Sequence, residues 1–163
     1  MKIRHTVPAD LPALLEIYAY ARQQMKLNGN PHQWRDNRPS AEVICRDIDL
    51  GQSYVVTEGD DLLAVFAFII GDDPTYAVIE DGAWLSDAPY GVIHRLAASG
   101  RQSGMLNFIF DWCEAQIPDI RVDTHRDNAI MHHLLLKRGY KACGTIYVDD
   151  GSPRIAYQRV SRR

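Results

Sequence analysis

Apolar residues in this chain change their spacing repeatedly, from every second position to every third or fourth and back, from one end to the other. Strands place successive side chains on opposite faces, whereas helices return to one face every three to four residues. The switching therefore marks strands and helices in alternation. Lys2 to Thr6 reads as a short strand. Pro8 and Asp10 open a helix that tolerates Pro12 in its first turn, with Leu11, Leu14, Leu15 and Tyr18 inward, and Asn28-Gly29-Asn30-Pro31 stops it. A polar stretch from His32 to Pro39 carries Trp34, and Ser40 caps a second helix through Leu50, closed by Gly51. Ser53 to Thr57 and Leu62 to Ile70 form a hairpin about Glu58-Gly59-Asp60-Asp61. Gly71 to Pro89, rich in Asp, Gly and Pro, is an irregular connection with one short strand. Gly91 to Ala98 is a strand. Gly104 to Ile117 is a helix on Leu106, Ile109, Phe110 and Cys113, ended by Pro118, and Ile120 to Thr124 is a strand. Asn128 to Arg138 is a helix with Met131, Leu134 and Leu135 inward and Gly139 past its end. Tyr140 to Val148 and Arg154 to Val160 are strands joined at Asp149-Asp150-Gly151-Ser152. The order β-α-α-β-β-β-α-β-α-β-β implies a mixed α/β fold, one sheet covered by helices.

Composition narrows the function classes. A length of 163 residues fits a single domain, 1–163, that buries a core without disulfides or metal staples. The net charge of -3 leaves no broad electrostatic footprint for nucleic acid or an anionic membrane surface. The basic C-terminal Ser161-Arg162-Arg163 is three residues, too few to argue a tail function. Cys45, Cys113 and Cys143 are odd in number and form no C-x-x-C pair, which points to a reducing, cytoplasmic setting. The start, Met1-Lys2-Ile3-Arg4-His5, has no apolar signal core, and the longest apolar run, Leu62 to Ile70, is too short to span a bilayer. A homodimer is compatible with all of this.

One junction carries chemistry. His94-Arg95-Leu96-Ala97-Ala98-Ser99-Gly100-Arg101-Gln102-Ser103-Gly104-Met105-Leu106 runs from an apolar strand through small residues into a helix. The first turn of a helix leaves N–H groups without intrahelical partners, and the helix dipole adds positive potential there. Such an end binds phosphate where small residues let a ligand reach the backbone. Gly100, Ser103 and Gly104 give that access, and Arg101 adds a cation. The competing reading is a plain strand-to-helix turn whose glycines serve geometry alone.

Arg101-Gln102-Ser103-Gly104-Met105-Leu106 resembles the acetyl-CoA motif of the GNAT acyltransferases, Arg/Gln-x-x-Gly-x-Gly/Ala, with Leu106 departing at the last position. Thr124-His125-Arg126-Asp127-Asn128, with Lys137-Arg138-Gly139-Tyr140 further on, resembles that family's second signature, an Asn opening a helix that ends in Gly-Phe/Tyr. The resemblance implies the GNAT fold, a mostly antiparallel mixed sheet whose fourth and fifth strands splay apart, with acetyl-CoA as co-substrate and no metal. It implies that the pantetheine arm pairs with the backbone of Leu96 and Ala97. The pyrophosphate would sit on the N–H groups of Arg101, Gln102, Ser103, Gly104, Met105 and Leu106, and Asn128 would bond the arm through its amide. The implied reaction moves an acetyl group to a primary amine of a small molecule or peptide, by direct attack in a ternary complex.

An ammonium group must lose a proton before it attacks. His94 is the first candidate, since a histidine titrates near ~6.5. The arylalkylamine branch of the family also carries a His here. Strand alternation puts His94 and Leu96 on one face and Arg95 and Ala97 on the other. The competing reading is a histidine bonded within the sheet. Glu80, after Ala77-Val78-Ile79, is the second candidate, against the reading of a solvated carboxylate. The family's thiolate-protonating tyrosine maps to Leu135, which has no proton to give. Tyr140 maps to a structural aromatic, and Tyr147 on the next strand is the remaining candidate acid. His132 and His133, with His125, lack a metal-ligand pattern and read as solvated. Cys143 reads as a small buried apolar group. Trp34 and Trp84 are candidates for an aromatic acceptor wall, or simply core residues. The absent tyrosine and the atypical Leu106 keep a non-catalytic acyl-CoA-binding module as the alternative.

Overall fold

The computed structural model describes residues 1–161, so Arg162-Arg163 lies outside it. The strands are β1 Lys2–His5, β2 Ser53–Glu58, β3 Asp61–Ile70, β4 Gly91–Ala98, β5 Asp119–Thr124, β6 Lys141–Tyr147 and β7 Pro153–Val160. The helices are α1 Leu11–Leu27, α2 Ala41–Asp49, α3 Met105–Glu114 and α4 Ala129–Lys137. All seven strands join one sheet in the order β1-β2-β3-β4-β5-β7-β6. The element order is the one that the periodicity predicts, except in the Asp/Gly/Pro-rich connection. That segment holds a 3-10 turn at Pro74–Tyr76 and a lone bridge between Glu80 and Thr145 where a strand was expected. Among the described residues, no helix is long and apolar enough to cross a membrane.

Each neighbouring pair of strands is antiparallel except β4 and β5. That parallel pair meets only at Gly91 with Ile120 and Val92 with Arg121. Beyond these residues β4 keeps only β3 as a strand neighbour, and β5 keeps only β7. The fourth and fifth strands therefore splay.

Two layers cover the sheet. One face packs Val56, Phe66, Ile93, Ile120 and Val122 against α3 and α4. Ile109, Phe110 and Leu135 from those helices are fully buried, each worth about 2 kcal/mol of apolar burial. On the other face α1 and α2 lie over Val55, Val65 and Ala97, through Leu14, Ile17, Tyr18 and Ile44. The segment between β3 and β4 covers the rest of that face, with Tyr76 and Tyr90 on Val92, Ile146 and Ala156. Ser40 caps α2 by accepting from the Val43 N–H, as its position predicts.

Two stripe residues differ from expectation. Leu15 is 41% exposed and Ile17 is buried in its place. The reason is the direction of the stripe, which runs Leu11, Leu14, Ile17, Tyr18 and Ala21 and leaves Leu15 to one side. In α3 Met105 is buried where Leu106 was expected, because Met105 lies one and two turns from the buried Ile109 and Cys113 on the same face, and Leu106 falls at its edge.

A bulge reorients β4. Val65 pairs with Ala97 but Ala67 pairs with His94, so Phe66 faces two residues, Arg95 and Leu96. Arg95 takes φ 50°, in the left-handed region. The extra residue breaks the alternation expected from the sequence. His94 and Ala97 now share the face of α1 and α2, while Ile93 and Leu96 pack toward α3 and α4. The bulge is held from both ends. The Tyr18 hydroxyl donates to the Arg95 carbonyl at 2.7 Å, and the Arg95 guanidinium makes two bonds, 2.6 and 2.8 Å, to Asp47 of α2.

Candidate active site

A cleft of about 720 Å³ opens where β4 and β5 part. Ile93, Leu96, Phe110, Val122, Asn128 and Met131 line it from the α3/α4 side. His94, Asp73, Asp123, Trp34, Arg38 and Arg154 line it from the other. The cleft thus passes through the sheet, which only a splay permits: in a fully paired sheet the ladder bonds would close it.

On the α1/α2 side the bulge delivers His94 to a pair of carboxylates. Its Nε2 lies 2.7 Å from Oδ2 of Asp73, and its Nδ1 lies 3.9 Å from Asp123. Asp73 caps the 3-10 turn at Pro74–Tyr76, accepting from both the backbone N–H and the hydroxyl of Thr75. Burial pushes the Asp73 carboxyl up. Its hydrogen bond to His94, the His94 charge and the Thr75 bonds outweigh that, bringing it down to about 2. Asp73 is therefore an ionised acceptor at neutral pH, and Nε2 of His94 carries a proton toward it. In the neutral imidazole the lone pair is then on Nδ1. Asp123 accepts from the Tyr76 hydroxyl at 2.7 Å. Burial, reinforced by Asp123, raises the Tyr76 phenol well above its usual range, so Tyr76 remains a donor.

The turn into α3 follows the end of β4, past the Leu96 that lines this cleft. Gly104 has φ 83°, and a Cβ built there meets nothing within 4 Å. Gly100 has φ 79°, and a Cβ there would collide with the Tyr20 ring. The first helical bond runs from Phe108 N–H to Gly104 C=O, so the N–H groups of Met105, Leu106 and Asn107 precede the ladder. Gln102, Ser103 and Gly104 are exposed, and Arg101 is exposed with its guanidinium 3.9 Å from Asp61. A left-handed glycine in open space, followed by free N–H groups, fits a pyrophosphate. The β4 edge from Ile93 to Ala98, bare of any strand on the β5 side, fits an extended arm beside Leu96 and Ala97. Asn128 caps α4 by accepting from Met131 N–H at 3.1 Å, and one of its amide hydrogens goes to Gln33. The other remains for a ligand.

The structure does not bring Glu80 or Tyr147 to this cleft. They face each other instead, the Tyr147 hydroxyl donating to Glu80 at 3.0 Å, and Glu80 is tied to β6 by its bridge to Thr145. Trp34 does line the cleft, edge-on to Tyr18. Trp84 does not: it packs with Tyr76, donates to the Tyr76 carbonyl and stacks under the Arg121 guanidinium, 4.1 Å from the ring. His133 is exposed, but His132 is not the solvated residue expected. It bonds the Tyr157 hydroxyl and the His125 carbonyl, because its turn of α4 faces β7. Leu135 is wholly buried in the core, and Cys143 is buried.

Sequence reasoning missed four residues here. Asp73 looked like a turn residue, and only its turn's contact with β4 gives it a partner. Asp123 and Arg154 lie in strands that carry other charges, Asp119 and Arg121 in β5 and Arg159 in β7, so nothing in the sequence set them apart. Gln33 carried no signal either: its side-chain oxygen accepts from Asn30, Thr124 and Asn128, which ties the polar 28–40 segment over the cleft.

No family model and no curated protein matches this chain. Solved structures do. An acetyltransferase of the GNAT family from Streptococcus agalactiae is 31% identical, with a TM-score of 0.88 over 99% of this chain and 96% of that one. A GNAT-family acetyltransferase from Listeria monocytogenes is 21% identical, with a TM-score of 0.70 over 98% of this chain and 94% of that one. The yncA protein from Salmonella typhimurium, solved with its cofactor acetyl-CoA, shares the fold at 16% identity and a TM-score of 0.58, over 99% of this chain and 95% of that one.

Proposed function

The chain belongs to the GNAT family of acetyltransferases, and from that premise we propose that it moves an acetyl group from acetyl-CoA to a primary amine, by direct attack within a ternary complex. The observation that carries this reading is the cleft between the parted strands, with the bare β4 edge and Asn128 along one side and a histidine between two carboxylates on the other.

Bound acetyl-CoA supplies an activated acyl carbon and a thiolate leaving group. Asn128, the Leu96–Ala97 backbone and the turn at Gly104 hold the arm and its phosphates. His94 accepts the proton that the acceptor ammonium must shed, through Nδ1, while Asp73 fixes the ring by its bond to Nε2. The acceptor nitrogen bonds to the acyl carbon as the carbon–sulfur bond breaks. The products are an amide, the CoA thiol and one proton. Among the described residues that line the cleft, none is a tyrosine to replace the one the family places at Leu135. A thiol with pKa near ~8.5 leaves as thiolate without an acid. Positioning supplies much of the remaining rate.

The test is thiol release from acetyl-CoA across a panel of primary amines, with the acetylated product identified by mass. Amine-dependent release with amide formation is expected. Tight CoA binding with no release for any amine would contradict transfer and leave a binding module.

A further inference from the structure

Arg154 is a buried cation with no acid of its own. It is 6% exposed, lies at the start of β7 and lines the cleft. Its hydrogen bonds run to two backbone carbonyls, Pro153 at 2.9 Å and Gln33 at 3.0 Å. Asp123 and Asp150 act on it only through space, and burial, the larger influence, lowers its pKa despite them. Among the described residues no carboxylate comes within ion-pair distance of it. A guanidinium has five N–H donors, so donors remain. The other guanidinia of the cleft differ: Arg38 is held by Asp149 and Asp150, Arg95 by Asp47, and Arg46 is exposed. A buried, unpaired charge is costly unless a ligand completes it.

The opposite pole sits on the same face. Asp123 pairs with Ala156 across the β5–β7 ladder, and Arg154 is two residues along β7, hence on that face and about 7 Å away along the strand. Asp123, Asp73 and His94 form a negative-leaning cluster with Arg154 as its counterpart. Between them the cleft is walled by Trp34, Val43, Ile69 and Val148. A polyamine would meet repulsion at Arg154, and a protein N-terminus carries no carboxylate beside its amine. Resting on the acetyl-transfer reading above, we infer that the acceptor is a free amino acid, its carboxylate seated on Arg154 and its ammonium turned to His94, Asp73 and Asp123. Its side chain lies along the apolar wall.

The experiment compares apolar and polar amino acids, each with its amide and its decarboxylated amine, in thiol release from acetyl-CoA by the full chain. At least one amino acid should exceed its amide and amine tenfold or more in kcat/KM. Arg154→Gln should erase that preference without changing the KM for acetyl-CoA, and Arg154→Lys should restore part of it. If Arg154→Gln does not fold, the ligand pairs on the wild-type protein still decide. Amides or plain amines used as well as every amino acid would overturn the inference and leave the transferase reading intact. If no amine of any kind is acetylated, calorimetry with CoA present separates the two claims. Leucine bound tenfold more tightly than leucinamide would support the carboxylate seat and count against transfer. Equal or absent binding of every such pair would overturn the seat itself.

Discussion

A histidine on a strand is ambiguous until its neighbours are known, and His94 owes its neighbours to two residues distant in sequence. Asp73 reaches Nε2 from the β3–β4 connection, and Asp123 faces Nδ1 from β5. His94→Gln keeps size and polarity and removes titration. Turnover should fall about a hundredfold or more with acetyl-CoA binding unchanged, and the decline of kcat/KM toward acid should vanish. A normal rate with that decline intact would reject His94; Glu80→Gln, at a residue outside the cleft, should change neither. Asp73 acts through His94, so Asp73→Asn should lower kcat far more than it raises the acetyl-CoA KM. It should also shift the pH profile, which a purely structural residue would leave in place. Asp73 makes a second, independent prediction. Its folded carboxyl sits near 2 against an ordinary 3.8, so its contribution to stability is complete above 3.8 and disappears as pH falls toward 2. Denaturant midpoints of wild type and Asp73→Asn, compared between pH 5 and pH 2, should therefore converge on acidification; a constant gap would contradict the assignment. Among these residues only His94 was legible in the sequence, because a histidine beside a motif stands out, whereas an Asp before a Pro looks like any turn.

The elements around the site were legible and their couplings were not. Small residues between an apolar strand and an amphipathic helix mark the turn into α3 in the sequence alone. The structure adds that Gly104 is left-handed with open space over its Cα. Gly104→Glu should fold with modest strain and lose CoA affinity at least tenfold, since the new carboxylate would occupy the phosphate position; unchanged affinity in a folded protein would remove the turn from the site. Asn128 was readable as a helix cap. Its bond to Gln33, which joins α4 to the 28–40 segment, was not readable, because nothing local in the sequence sets a contact across 95 positions. Asn128→Ala should cost about 1 kcal/mol in cap energy and also raise the acetyl-CoA KM; a change in stability alone would make it structural. The bulge at Arg95 was invisible for the same reason. Strict alternation is the default for a strand, and the extra residue is held by Tyr18 and Asp47 from two helices.

At the scale of the whole molecule, the order of strands and helices followed from periodicity, since burial of one face leaves its imprint on every element. The splay left no such imprint. It is an absence of pairing, two residue pairs where a full ladder was possible, and only the resemblance to the GNAT acyltransferases anticipated it. That gap organises everything else: it lets one cleft reach both faces, with Leu96, Asn128 and Met131 on one side and His94 with the Arg154 guanidinium on the other. A second cavity, of about 470 Å³ between Asp10, Tyr20, Asp61 and Arg101, borders the same turn from outside the gap. Amide hydrogen exchange with and without acetyl-CoA distinguishes the two. Acetyl-CoA seated in the splay should protect the backbone of Leu96 to Ala98 and of Met105 to Asn107, and leave the amides around Asp10 and Asp61 unchanged. Protection confined to the outer cavity, or none at all under saturating acetyl-CoA, would contradict the central claim that the parted strands are the cofactor site.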